Sequence, residues 1–460
     1  MAWQPTAKRR RVFLLGTELA VMATTSFSLV SYADSLSAGS VIVDLIGSIV
    51  SAAGFVAIML AMGLYGRDTM YSSMASIQRF AMAYFIFFFA AYVALVVAGP
   101  LVMFGFWSAD LSFVGVTGGS AAVVLLFRIF FVHILSLDWF KRRLVIVGCG
   151  NKAAKLCRVI VGKLQHEAVV VATVRFTEDE FAPDLIVPVS VNGDLLGLCE
   201  RVSADEIIVA RDDQRGMPID ELLHCRTVGI RIRDYITFLE EEIGYIDVNE
   251  LRPSALIFSW GFDRSPAFLA SKRLFDVVVS VLILFFALPL ALFAAVAIVI
   301  DSRGPIFFRQ DRVGLNGHRF QILKFRSMRV DAERHGPQWA AAQDNRVTTI
   351  GRILRKTRID EIPQLINVLK GDMSFVGPRP ERPFFVDSLR VEIPYYDERH
   401  KMKPGLTGWA QINYPYGASV EDAKEKLAYD LYYAKYASLM LDLMIALQTL
   451  KVVMFPSGAR

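Results

Sequence analysis

The sequence predicts a multi-domain membrane protein with an N-terminal helical transmembrane bundle, an α/β middle domain and a mostly helical C-terminal domain. Three observations predict it. The chain of 460 residues is 54% hydrophobic with 33 Phe and a mean hydropathy of +0.41, too apolar for a soluble protein of this size. Long apolar segments crowd the first 140 residues and return once more at 277–300. Between them, short apolar runs alternate with helical stretches, as a parallel α/β sheet requires. The length favours about three domains. Their expected limits are 1–140 for the bundle, 141–245 for the α/β domain, 246–270 for a linker and 271–460 for the last domain, with its membrane helix at 272–300.

In the bundle, Lys8-Arg9-Arg10-Arg11 precedes the first apolar segment, 12–32, and the 33–40 connection holds Asp34 but no Lys or Arg. Cytoplasmic flanks are enriched in Lys and Arg, so the N-terminus is expected inside. Further segments cover 41–65, 80–106 and 113–137; Arg67 and Arg79 follow the second, and Lys141-Arg142-Arg143 follows the fourth. Four spans with both ends inside satisfy every connection. Arg128 and His133 fall near the inner end of the fourth span, where snorkelling to the interface accounts for them. No cleavable signal peptide is evident, because the first apolar stretch runs past Ala23 to Tyr32 without a small-x-small site. Net charge is only +5, but Lys and Arg gather at membrane flanks and between Arg303 and Lys403, which suits anionic headgroups or phosphate-bearing ligands. No nucleic-acid partner is expected.

The middle domain opens with a buried-type strand at 144–147 that runs into Gly148-Cys149-Gly150-Asn151-Lys152-Ala153, a GxGxxA turn. Apolar runs at 168–174, 206–210 and 230–232 supply further strands. The pattern is Rossmann-like. A dinucleotide site also wants an acidic residue about 20 positions on to hold the ribose. Arg175 ends the second strand instead, and Glu178 and Asp179 come late, so a degenerate, structural or regulatory domain is favoured over a working site. Cys149, Cys157, Cys199 and Cys225 have no metal-type spacing and read as reduced core residues. Residues 245–264, with scattered Gly, Pro and Asn, read as a connector able to pair as a hairpin.

The 277–300 run is long enough for a spanning helix of roughly 20 residues, yet Pro289 lies at its centre. Lys272 and Arg273 stand before it and Arg303, Arg309 and Arg312 after it, so both ends want the cytoplasmic side. A helix that enters the membrane, breaks at Leu288-Pro289 and returns meets both demands; the alternative is an ordinary spanning helix with a proline kink, which would place 304–460 outside the cell, away from nucleotide substrates. After it, cations interleave with aromatics in 304–314 and in Lys324-Phe325-Arg326-Ser327-Met328. Composition alone fits a polyanion, a lipid surface or a diphosphate equally.

Arg352, Arg355, Lys356 and Arg358 lead into Asp360-Glu361-Ile362-Pro363-Gln364-Leu365. A helix is expected to begin near Asp360, because Pro363 is tolerated only in a first turn, and to stop at Gly371. Such an N-terminus favours phosphate. Adjacent carboxylates on a helix point about 100° apart, so one attacking while its neighbour holds a metal is a better division than a facing acid/base pair. A plain N-cap Asp would look the same at this point.

Two long motifs follow, Gly371-Asp372-Met373-Ser374-Phe375-Val376-Gly377-Pro378-Arg379-Pro380-Glu381 and Lys403-Pro404-Gly405-Leu406-Thr407-Gly408-Trp409-Ala410-Gln411. With the preceding ones, they resemble the bacterial sugar transferases, the polyprenyl-phosphate hexose-1-phosphate transferases that start exopolysaccharide and O-antigen repeats. The resemblance covers about Ser271 to Met454, and in outline the whole chain, since long members carry a four-span bundle and a Rossmann-like domain first. It implies a membrane hairpin bent at Pro289 and an Asp-Glu dyad in which Asp360 attacks the β-phosphorus of a UDP-sugar and expels UMP. Undecaprenyl phosphate would then take the sugar-phosphate from the aspartate. It further implies Mg²⁺ on Glu361, assisted by Lys324, Arg326, Arg352 and Arg355, and a uridine end positioned by Pro378, Arg379 and Pro380. Asp430 and Tyr433 lie in a stretch that also matches, although ordinary helix residues explain them as well. Glucose or galactose is expected from the family alone, a homodimer is plausible, and 439–455 is apolar enough for the membrane interface. A processive glycosyltransferase would need a DxD-type metal loop, and none stands out. A non-enzymatic sensor and lipid anchor would leave Asp360 and the Pro-Arg-Pro motif without work.

Overall fold

The computed structural model describes residues 7–34, 41–65, 73–98, 111–135, 141–175, 188–190, 194–213, 215–251, 261, 265–330, 332, 346–415, 417 and 419–454. The loops 35–40 and 99–110, Arg67, Glu178, Asp179 and most of the 245–264 hairpin lie outside them. The chain divides into two compact units, Met1–Glu242 and Ile243–Arg460.

The first unit begins with four long helices, α1 (Ala7–Asp34), α2 (Val41–Ala61), α3 (Ser73–Ala98) and α4 (Leu111–Leu135). Helix α1 packs on α2 and α4, and α3 closes the set against the same two. Their shared interior holds charge. Arg128 is fully buried and donates to both oxygens of Glu18, at 2.8 and 2.9 Å, and to the Leu64 carbonyl at 2.7 Å, while the Tyr65 hydroxyl donates to Glu18 at 2.5 Å. This corrects the snorkelling expectation. An arginine reaches for an interface only when nothing inside the helices can neutralise it, and Glu18 on α1 does so.

A five-stranded parallel sheet follows, from β1 (Arg142–Val147), β2 (Ala168–Arg175), β3 (Pro188–Ser190), β4 (Glu206–Val209) and β5 (Arg231–Asp234), in the order β3-β2-β1-β4-β5. Helices α5 (Asn151–Lys163), α6 (Leu195–Arg201), α7 (Ile219–Thr227) and α8 (Tyr235–Ile243) complete the alternation. Leu144 to Val147, on the central strand, are all fully buried, which is why that strand reads as a continuous apolar run. Strand β3 carries no comparable apolar signal and was not expected. All four cysteines are buried, and none is in a disulfide.

The GxGxxA turn is filled from within the chain. The Asp212 carboxylate accepts from the backbone N–H groups of Asn151 at 2.7 Å and Lys152 at 3.0 Å, at the start of α5. A Cβ on Gly150 would collide with that carboxylate, so the glycine makes room for Asp212. The first amides of α5, which a diphosphate would need, already have an anion.

The second unit is built on α9 (Pro266–Asp301), 36 residues long. Among the described residues it is the one helix long and apolar enough to cross a membrane; α1 to α4 carry shorter described apolar stretches. Ser265 caps it, its hydroxyl accepting from Phe268 N–H at 3.3 Å. The expected break at Leu288-Pro289 is absent, for the helix continues through both residues. A proline removes one hydrogen bond and pushes on the preceding turn, which a helix can absorb by bending without unwinding.

Both ends of α9 nevertheless hold the same unit. Near its start, Arg273 donates to the Val368 and Leu369 carbonyls, each at 2.6 Å, and Lys272 donates to Asp442 at 2.7 Å, Tyr433 at 3.0 Å and the Val376 carbonyl at 3.1 Å. Asp276 accepts from the Ser374 hydroxyl and the Phe375 amide. At its end, Asp301 accepts from Ile350 N–H at 3.1 Å, and Ala294 and Ile298 pack on Phe325 and Leu354. A straight helix would set Arg273 and Asp301 about 42 Å apart. Lys272 and Arg273 therefore serve as internal anchors rather than as free membrane-flanking charges.

The rest of the unit packs around this helix. Strands β6 (Phe307–Val313) and β7 (Arg319–Phe325) form an antiparallel hairpin. Then come α10 (Thr349–Lys356), a one-turn 3-10 helix at Ile359–Glu361, α11 (Gln364–Lys370), β8 (Ser374–Val376), α12 (Pro383–Glu392) and a second 3-10 helix at Tyr396–Lys401. β9 (Gly405–Thr407), α13 (Trp409–Asn413), α14 (Val420–Tyr436) and α15 (Leu439–Met454) end it. The two long sequence motifs meet where β8 pairs in parallel with β9. A Cβ on Gly377 or Gly405 would strike the other's backbone, so these glycines permit the pairing.

Asp212→Ala is expected to weaken the cap by about 1 kcal/mol and to speed hydrogen exchange at the Asn151 and Lys152 amides. Peptide-level exchange mass spectrometry checks it; unchanged protection would show that Asp212 is not the group holding those amides.

Candidate active site

The short turn Ile359–Glu361 is where the chain brings two carboxylates inside. Arg358 adopts a left-handed conformation, φ 59°, which ends the run from α10. Pro363 has no N–H to give Ile359, so the turn closes through Ile362 N–H to the Ile359 carbonyl at 3.2 Å, and Leu365 and Ile366 still donate three residues back, to the Ile362 and Pro363 carbonyls at 3.1 and 3.0 Å. The helix expected from Asp360 onward thus begins only at Gln364. The positive surroundings of the pair come from side chains rather than from a helix end. Ile359 and Ile362 pack on the Ala294 and Ile298 cluster of α9, while Asp360 and Glu361 line a cavity of about 920 Å³.

Glu361 is the anchor of a cation cluster. Its Oε1 accepts from Arg379 at 2.8 Å and Lys324 at 3.1 Å, with the Arg358 guanidinium at 3.6 Å. Burial alone would raise its pKa, but the charges of Arg379, Lys324 and Arg358 outweigh it and hold the carboxyl well below the usual range. Asp360 behaves oppositely. Burial, and then the neighbouring Glu361 charge, push it up to about 6 against the pull of Lys324, Arg358 and Arg355. Its Oδ1 is buried and has no hydrogen-bond partner. Burial also pushes Lys324 down, against the pull of Glu361. One carboxylate is neutralised in place, and its neighbour is poised and unpaired.

The other expected site residues separate. Lys324, Arg355 and Arg379 line the cavity with the dyad. Pro378 and Pro380 are buried and do not line it; they flank Arg379 and fix its loop. Arg352 is exposed and lies outside the cavity wall. Arg326 reaches the wall, but its guanidinium hydrogen bonds go to the exit of α9, to the Ser302 carbonyl and hydroxyl at 2.5 and 2.9 Å and the Arg303 carbonyl at 3.1 Å. These bonds fasten the end of α9. Asp430 lines the cavity in a buried pair with Arg399, whereas Tyr433 belongs to the Lys272–Asp442 cluster. Sequence reasoning missed Arg358, Arg399 and Lys426, all on the wall. Only Arg358 gave a local signal, as the last cation before the dyad.

Mg²⁺ takes one or two carboxylates and completes its shell with water and substrate phosphates. Among the described residues no three acidic, His or Cys side chains converge into a protein-only cage. The unpartnered Asp360 oxygen, and a Glu361 whose cations all lie on Oε1, fit an ion shared with a phosphate ligand.

Comparison with known proteins places the second unit in a family. The profile of the family described as bacterial sugar transferase matches residues 267–456. A Caulobacter vibrioides UDP-glucose:undecaprenyl-phosphate glucose-1-phosphate transferase is 46% identical over 192 residues, 41% of this chain and 71% of that protein. The chain belongs to the bacterial sugar transferase family. Among other family members, an Aeromonas hydrophila UDP-N-acetylgalactosamine-undecaprenyl-phosphate N-acetylgalactosaminephosphotransferase is 46% identical over 249 residues, 54% of this chain and 58% of the relative. A Xanthomonas campestris pv. campestris UDP-glucose:undecaprenyl-phosphate glucose-1-phosphate transferase is 42% identical over 213 residues, 45% of this chain and 43% of the relative. The chain thus spans about half the length of these last two family members.

Arg326→Met should lower the thermal midpoint and increase proteolysis around 301–305, by freeing the end of α9; Arg352→Met should do neither. Limited proteolysis in detergent distinguishes them, and equal effects would mean that Arg326 is not the fastening.

Proposed function

We propose that the chain transfers a hexose-1-phosphate from a UDP-sugar to undecaprenyl phosphate, releasing UMP and forming an undecaprenyl diphosphate sugar. The observation that carries this reading is the pairing of a buried, unpartnered Asp360 with a cation-saturated Glu361 in one cavity against a membrane-type helix. The names of the relatives support the substrate classes and differ in the sugar.

In the mechanism, an Asp360 oxygen attacks the β-phosphorus of the donor. The bond from that phosphorus to the bridging oxygen breaks and UMP departs with the electron pair. An oxygen of undecaprenyl phosphate then attacks the same phosphorus and returns the carboxylate to Asp360. Two displacements on an aspartyl sugar-phosphate replace a direct one between a soluble donor and a membrane-bound acceptor. Lys324, Arg358 and Arg379 lie on Glu361 before the donor arrives, so they can share their charge with its diphosphate without first being gathered. Arg355 faces the attacking carboxylate from α10. Mg²⁺, when bound at Glu361, would neutralise diphosphate charge. Arg379, held between two prolines, is assigned to the uridine and phosphate end.

The acceptor's headgroup stays at the interface, so the site must rest on the leaflet. A re-entrant α9, turned at Pro289 so that both ends emerge on one side, meets that need, and α15 with exposed Met440 and Leu443 suits the interface beside it. The chain is accordingly assigned to the bacterial cytoplasmic membrane, with α1 to α4 spanning it and the soluble parts facing the cytoplasm, and to the first membrane step of exopolysaccharide, O-antigen or capsule synthesis. The sensor-and-anchor alternative loses ground, because Asp212 occupies the amides its nucleotide would use.

UMP release by the purified chain with undecaprenyl phosphate, Mg²⁺ and a panel of UDP-sugars should occur with one donor and require the lipid. Asp360→Asn should reduce it at least a thousandfold; full activity in that variant would refute the nucleophile. Because attack needs ionised Asp360, kcat/KM should fall as pH drops through about 6. A profile flat to pH 4.5 would contradict the raised carboxylate.

A further inference from the structure

The Pro-Arg-Pro loop poses a problem of attachment. Pro378 and Pro380 have no N–H, so the peptides around Arg379 must be held largely by their carbonyls. Each of the three carbonyls is taken by a different element. Pro378 accepts from Gly405 N–H at 2.8 Å, Pro380 from Arg312 at 3.1 Å, and Arg379 itself from Arg399 Nη2 at 3.0 Å.

Arg399 is 5% exposed and every nitrogen of its guanidinium has a protein partner. Nε and Nη2 reach one oxygen of Asp430, at 3.0 and 2.8 Å, and Nη1 donates to the Tyr396 hydroxyl at 2.9 Å. Asp430, on α14, is 1% exposed. A guanidinium with a protein partner on every nitrogen is well suited to fixing a neighbour. The fixed neighbour is the residue whose own guanidinium lies 2.8 Å from Glu361.

We propose that Arg399, oriented by Asp430 and Tyr396, is a positioning residue that sets the pose of Arg379 through its main-chain carbonyl. Asp430 thereby acts on the dyad at two removes, through Arg399 and then Arg379. The inference rests on the proposed reading of Arg379 as a donor-binding group. It goes further in making α14 and the Tyr396–Lys401 turn part of the donor site.

The test is a double-mutant cycle on UMP release by the full chain, with Arg399→Lys, Arg379→Ala and the double variant. A lysine keeps the charge beside Asp430, but a single ammonium cannot span Asp430, Tyr396 and the Arg379 carbonyl together. Arg399→Lys should raise KM for the UDP-sugar and lower kcat/KM on the order of tenfold. In the Arg379→Ala background the same change should cost less than about twofold, since coupled residues are non-additive. Asp430→Asn should reproduce the KM effect. Equal losses in both backgrounds would overturn the proposal, as would a loss of kcat alone that tracks a lowered thermal midpoint. If the wild-type chain released no UMP, the functional reading would fail instead. The same cycle would then be run on UMP binding by calorimetry, where coupling supports the positioning role and additivity rejects it.

Discussion

Glu361 is the interaction on which the C-terminal unit depends. Lys324 comes from β7, Arg358 from the turn after α10 and Arg379 from the loop after β8, and a single carboxylate oxygen draws all three together. Removing that charge would leave three cations facing one another with only the Asp360 carboxylate to offset them. The same carboxylate keeps Asp360 from competing for those cations. The site's asymmetry, one paired acid and one unpaired, follows from which of two adjacent residues the turn aims at the cluster.

Much of this was legible in the sequence, and what was missed has physical causes. Four of the five strands of the parallel sheet, all but β3, lie close to the apolar runs, because a strand buried on both faces must be apolar throughout. The dyad, Lys324, Arg355 and Arg379 were legible through motifs. Arg326 and Arg352 were misjudged for one reason: a cation's type and neighbourhood do not reveal its direction. Arg326 turns back to the carbonyls at the end of α9, and Arg352 is exposed one turn before the half-buried Arg355. Arg399 was invisible because its role needs Asp430, 31 positions away, and a carbonyl 20 positions back.

The first unit shows internal ions replacing external partners twice. Glu18 neutralises Arg128 among long apolar helices, and Asp212 takes the amides of a glycine-rich turn. In each case an isolated motif suggests an outward-looking group, a snorkelling arginine or a phosphate cradle. The partner that closes it lies 60 or more residues away in sequence.

The packing of Ile359 and Ile362 on Ala294 and Ile298 makes the carboxylates ride on the second half of α9. The first half is pinned separately, through Lys272, Arg273 and Asp276, to β8, α11 and α15. In the proposed re-entrant arrangement the stretch between the halves is a mechanical joint, with lipid loading one arm of the lever and the two carboxylates sitting at the other. On that proposal, bilayer thickness and lateral pressure become variables of the chemistry, and a thinner or stiffer membrane would shift the carboxylates without touching any residue of the cavity.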